Sequence, residues 1–147
     1  MLHKALLAAM AALLALAATG MAAAPADAFS ENRFIETWNA NAGVLERARE
    51  RLQVNPTKRQ LVRTVREMAR AENRLVMWLR DHRATACQRP WSNRMVLRGT
   101  EARKSFKAAA RAAENMRFGV ALRQLERGLQ FHAAMGRAAV RMVETCP

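Results

Sequence analysis

The stretch PTKRQLVRTVREMARAENRLVMWLRDHRA, residues 56–84, decides how this chain folds. Leu61, Val65, Met68, Leu75 and Leu79 recur at the spacing of one buried helical stripe, and Glu72 interrupts that stripe near its centre. Arg59, Arg63, Arg66, Arg70 and Arg74 fall on the opposite face, within an arc of about 80° if each residue turns ~100°. One helix therefore buries an acid and displays a row of bases.

Upstream, Phe34, Trp38, Asn41, Leu45, Ala48 and Leu52 share one arc, which predicts a first helix over 30–53 with Ser30 as N-cap. Asn55-Pro56 breaks it and restarts the chain, Asn as N-cap and Pro at the first helical position of a second helix over 56–84. An irregular crossover over 85–99 follows. Within it, residues 92–98 read as a short helical turn whose Met95, Val96 and Leu97 plug one end of the core. Gly99-Thr100 reads as a C-cap and a fresh N-cap. A third helix over 101–115 presents Ala102, Phe106, Ala109, Ala110 and Ala113 inward. The chain turns at 115–118, and a fourth helix runs to about 145 with the stripe Phe118, Leu122, Leu125, Leu129, His132, Gly136, Ala139 and Val143.

The fold expected from this pattern is all-α, an up-down-up-down four-helix bundle with one irregular crossover. Residues 114–129 resemble the helical hairpin of a tetratricopeptide repeat, with Phe118, Ala121, Leu125 and Leu129 at its packing positions. The pattern never recurs, so no repeat array is implied.

The first 28 residues read as a signal peptide. Lys4 gives a positive start, 5–18 an apolar run, and Ala26-Asp27-Ala28 a small-residue cleavage site before Phe29. The alternative is an uncleaved anchor over 5–24, though its alanine-rich run is only weakly apolar. With no Cys near the cleavage site, a lipoprotein is disfavoured. Residues 29–147 then form one domain of 119 residues, directed to the periplasm or secreted. Cys87 and Cys146, the only cysteines, are expected to pair in that oxidising compartment. In this topology helices two and four run parallel, so both cysteines follow helix ends at the same end of the bundle.

That shared end sets a common depth. Glu72 lies 15 residues before Cys87 and His132 lies 14 before Cys146, so both sit about 21–22 Å from the disulfide at ~1.5 Å per residue. Asn41 falls near the same level. A buried polar layer of Glu72, His132 and Asn41 is predicted, either as a satisfied structural pair or as a small-ligand or metal site. For a metal only two strong ligands are visible, and the Glu-x-x-His spacing of di-iron bundles is absent. A haem between His132 and Met68 or Met135 lacks a Cys-x-x-Cys-His attachment motif.

Charge is the other strong signal. The chain carries 25 Lys and Arg against 12 Asp and Glu, net +13, and the expected mature part keeps that balance. Such a surface attracts polyanions: an acidic protein, or an anionic envelope component such as lipid headgroups or lipopolysaccharide. Arg outnumbers Lys 21 to 4, which suits oxyanion recognition, although a GC-rich genome gives the same bias. A second row, Arg123, Arg127, Arg137 and Arg141, lies outside the stripe of helix four. Both rows are candidate partner-binding surfaces, against the plainer reading of solvated faces paired with Glu46, Glu50 or Glu126. Nucleic acid is disfavoured, because aromatic stacking residues are sparse and Tyr is absent.

No catalytic residues are predicted. The expected mature chain holds only His82, His132, Asp81, Ser30, Ser92 and Ser105 as candidate actors, with no nucleophile beside a base and no Gly-rich phosphate loop. The Leu-Thr-x-x-Gln motifs of small periplasmic chaperones are missing. The sequence therefore points to a non-enzymatic binding module without a cofactor. The alternatives are a small-ligand or metal carrier using the Glu/His layer, and an immunity or chaperone-like protein by analogy of size and compartment.

Overall fold

The computed structural model describes residues 28–52 and 55–146. They form four helices: α1 (Glu31–Leu52), α2 (Lys58–Asp81), α3 (Arg89–Glu114) and α4 (Phe118–Thr145). Each packs against the next, giving an all-α up-down-up-down bundle with no strand among the described residues. The leader expected over 1–28 lies outside the described residues except for Ala28. No helix among the described residues is long and apolar enough to cross a membrane.

The apolar stripes read from the sequence for the first two helices face inward, whereas the expected stripe of the fourth fails at its start, where Phe118 is 39% and Leu122 59% exposed. Phe34, Trp38, Leu45 and Ala48 of α1 are buried with Leu61, Val65, Met68, Leu75 and Leu79 of α2. The core divides into two apolar clusters, one built around Met68 and Phe106, the other around Phe34, Trp38, Leu75, Met95 and Met135. Glu72 and His132 fall between them in sequence on α2 and α4.

Helix starts are set by capping chemistry that the sequence reading placed differently. Asn55-Pro56 does not begin α2; Asn55 instead adopts φ 36 in the connection. Thr57 is the N-cap, in a reciprocal capping box with Gln60, which satisfies two otherwise orphaned N–H groups. α2 ends at Asp81, three residues before the expected end.

The largest correction concerns the crossover. It spans only residues 82–88, and α3 starts at Arg89 with Pro90 in its first turn, where a missing N–H costs nothing. Gly99-Thr100 is neither a C-cap nor a new start; it lies inside an unbroken 26-residue helix. Gly99 is there for packing: a Cβ on it would meet Val76 Cγ2 at 2.7 Å and Met135 Sδ at 3.0 Å. Glycine lets α2 and α4 close on α3 at this level. Met95 is buried in the core as expected, but Leu97 is 56% exposed and plugs nothing.

Gly128 on α4 makes a second close approach, where a Cβ would lie 2.5 Å from Phe106 Cε1. The Phe106 ring is fully buried and cannot swing aside. Gly128→Ala is therefore expected to destabilise by about 1–3 kcal/mol, despite the ~1 kcal/mol that alanine gains in helix propensity. Gly119→Ala is the control: its Cβ would meet only the end of Arg123 at 3.8 Å, so it should stabilise by up to about 1 kcal/mol. Urea midpoints of the two variants would separate them.

The α3–α4 turn is a Schellman motif. Met116 N–H donates to Ala113 O at 3.1 Å and Arg117 N–H to Ala112 O at 2.8 Å. The left-handed position of that motif ordinarily takes Gly or Asn. Here Met116 holds it at φ 58, and is 61% exposed, a conformation costing about 1–2 kcal/mol for a side-chain-bearing residue.

At the opposite end, Cys87 and Cys146 form a disulfide with Cα atoms 5.7 Å apart. Phe29 closes the same end, its N–H donating to Arg83 O at 3.1 Å while its ring packs on Phe34 and Trp78.

Candidate functional site

Two polar features stand out from this frame: a pair inside the core and a groove on its surface. Inside, His132 Nδ1 donates to Glu72 Oε2 at 2.9 Å, with the Glu72 side chain fully buried. The His132 ring stacks on Trp38, centroids 5.3 Å apart and planes 16° from parallel. Burial opposes the charged imidazolium, but the Glu72 charge and hydrogen bond outweigh it, so the His132 pKa rises above its ordinary 6.5.

Asn41 does not join this pair. Its Nδ2 donates to Thr37 O at 2.7 Å, and its Oδ1 accepts from Arg74 Nε at 2.9 Å. The reason is reach: Arg74 lies at the edge of the arginine arc, and its long side chain folds back toward α1. The second Glu72 oxygen, Oε1, has no hydrogen-bond partner and would lie 3.3 Å from a Cβ at Gly99. The carboxylate is thus half satisfied in a closely packed place. Two ligands are too few for a structural or catalytic zinc centre, and among the described residues no group of three or more His, Cys, Asp or Glu could hold a metal ion.

The surface feature is a groove between α2 and α3. Lys58, Arg59, Arg63, Arg66 and Arg70 line it from α2, and Lys107 and Arg111 from α3. Val62, Ala69 and Ala110 complete its lining with apolar surface. Glu114 is the only acid along its walls. Glu114 pairs with Arg66, but both side chains are substantially exposed, and an exposed pair of this kind contributes little. Arg70 Nε also donates to the Arg66 carbonyl at 3.4 Å. Seven cations facing one acid leave a strongly positive trough.

Of the five arginines predicted on α2, the structure gathers four here and sends Arg74 to Asn41. Lys107 and Arg111 were missed. Their signal was present as Arg103, Lys107 and Arg111 at i, i+4, i+8 on α3, although Arg103 turns to Asn73 instead.

The arginines of α4 do not extend the groove. Arg127 and Arg98 lie over the Phe131 ring at 5.6 and 5.9 Å. Arg98 and Lys107 are nine positions apart on α3, about half a revolution, so the two basic surfaces lie on different sides of that helix. Arg141 pairs with Glu144 at 3.2 Å, while Arg123 and Arg137 are exposed. The two rows are separate surfaces, and the α2 row lines a concave site.

No protein-family model, curated protein or solved structure matches this chain.

Proposed function

We propose that this protein is an exported, non-enzymatic binding module that holds a polyanionic partner in the groove between α2 and α3. The observation that carries this reading is the groove's composition, seven cations on two helices against the single acid Glu114. Like charges at i,i+4 oppose one another by a few tenths of a kcal/mol per pair. Arg59 with Arg63 and Arg66 with Arg70 stand at that spacing, a standing cost that an anionic partner would offset. Arginine dominates the row, and its planar fork matches carboxylate and phosphate oxygens. Export rests on the leader pattern of residues 1–28 and agrees with the Cys87–Cys146 disulfide.

The test is binding to a soluble polyanion such as polyphosphate. Arg66→Glu with Arg70→Glu reverses the middle of the groove and is expected to weaken binding by ~100-fold or more. Arg137→Glu with Arg141→Glu, on α4, is expected to leave it nearly unchanged. Equal losses in the two variants would mean that net charge, not the groove, attracts the ligand. Binding unaffected by either would remove the proposal.

A further inference from the structure

The cationic groove opens at one end onto exposed apolar residues, and this juxtaposition narrows the choice of partner. α2 begins at Lys58 and α3 ends at Glu114, and both line the same stretch of groove. Immediately beyond Glu114 come Met116, Phe118 and Leu122, which are 61%, 39% and 59% exposed. Phe118 and Leu122 continue the inward stripe of α4, so burial was expected of them. Instead Leu122 is left mostly uncovered and Phe118 more than a third uncovered.

Met116 adds an independent anomaly. It occupies the left-handed position of the turn at φ 58, where Gly or Asn would relieve both strain and apolar exposure. Around these three residues most of the exposed charges are basic: Lys58 and Arg59 at the start of α2, Arg117 in the turn, and Arg123 in the second turn of α4, with Glu126 the exposed acid one turn beyond Leu122.

We infer that the partner is an anionic lipid surface, met end-on, with Met116, Phe118 and Leu122 entering the headgroup region while Lys58, Arg59 and Arg63, the cations at that end of the groove, contact lipid phosphates. Apolar side chains flanked mainly by Lys and Arg match both layers of such an interface: the acyl boundary and the negative headgroups. A soluble acidic protein matches the cations equally but gives no reason for a strained, exposed Met beside them. No helix among the described residues can span a bilayer, so the contact is peripheral. This inference rests on the groove reading and specifies its ligand.

Co-sedimentation with vesicles of phosphatidylglycerol and phosphatidylcholine in equal parts, against phosphatidylcholine alone, is the test, with polyphosphate binding measured alongside. Wild type is expected to bind the anionic vesicles and not the neutral ones. Met116→Gly/Phe118→Ser/Leu122→Gln should lose about tenfold or more on anionic vesicles while keeping its polyphosphate affinity. The single variant Leu122→Gln, which changes one exposed helical position, should show part of the same loss with an unchanged melting temperature.

Vesicle binding by the triple variant equal to wild type would overturn the inference. So would a wild type that binds polyphosphate but not anionic vesicles, leaving the groove reading intact. Binding to neither would remove both. A wild-type dimer that the triple variant dissolves, with vesicle binding unchanged, would assign the apolar end to self-association instead.

Discussion

Truncating either partner of the buried pair, as Glu72→Ala or His132→Ala, is expected to lower the free energy of unfolding by about 3–5 kcal/mol, because each change leaves an uncompensated polar group in the core. The Glu72 side chain is fully buried and that of His132 is 9% exposed, so water gives the remaining partner little relief. Replacing both together, as Glu72→Leu/His132→Leu, should cost much less than the sum of the two single changes. A buried pair often breaks even against well-packed apolar residues, and Glu72 Oε1 already lacks a partner. A double-mutant cycle with a coupling energy near zero would mean that the 2.9 Å contact carries no energy.

The same pair gives a pH signature of definite sign. His132 has its folded pKa raised above 6.5, so the folded state holds its proton more tightly than the unfolded chain. The resulting stabilisation is fully present below pH 6.5 and is lost as pH rises through the raised value. In Glu72→Gln the raising influence disappears and burial alone remains, which pushes the His132 pKa down. The sign then reverses: that variant should gain stability as pH rises from about 5 to 7. Urea midpoints measured against pH for the two proteins, with His132→Gln as the reference, should show opposite slopes from this one site. Parallel slopes would contradict the ion pair.

The second large effect is expected from the disulfide. Cys87 and Cys146 are separated by 59 positions, and the chain-entropy model gives about 4 kcal/mol for closing such a loop. Cys87→Ser/Cys146→Ser should therefore melt ~15 °C lower in a domain of this size. The bridge acts chiefly on the unfolded chain, so the denaturant m-value should rise as the midpoint falls. A loss below about 1 kcal/mol would show that the end is already held by packing, including Phe29 and its bond to Arg83.

The legible parts of this fold are those fixed by helical periodicity and by distance along the chain. The stripe of α2 was readable from five apolar positions. The matching depth of Glu72 and His132 followed from counting back from two cysteines, and the structure brings those side chains to 2.9 Å. Asn41 satisfied the same depth argument, yet it binds Arg74, because depth and inward direction do not say which of several polar groups reaches it.

Gly99 was misread for a related reason. Glycine before threonine is a common helix boundary, and close approach of Val76 and Met135 leaves no local trace in sequence. The groove was half legible. One wall is a periodic row on α2, but the other requires the antiparallel register that sets Lys107 and Arg111 opposite Arg66 and Arg70. The apolar end was hidden because Phe118 and Leu122 share the period of buried residues, and only the neighbouring helix ends decide whether anything covers them.

The most direct test of the groove as an anion site is the salt dependence of polyphosphate binding, measured from 50 to 200 mM salt for wild type and for Arg66→Glu/Arg70→Glu. If several groove cations engage the ligand together, log affinity should fall linearly with log salt, with a slope of roughly −0.7 to −0.9 per cation engaged, and the variant's slope should be shallower by about two or more. A wild-type affinity that is flat with salt, or the same slope in both proteins, would contradict the assignment of this groove.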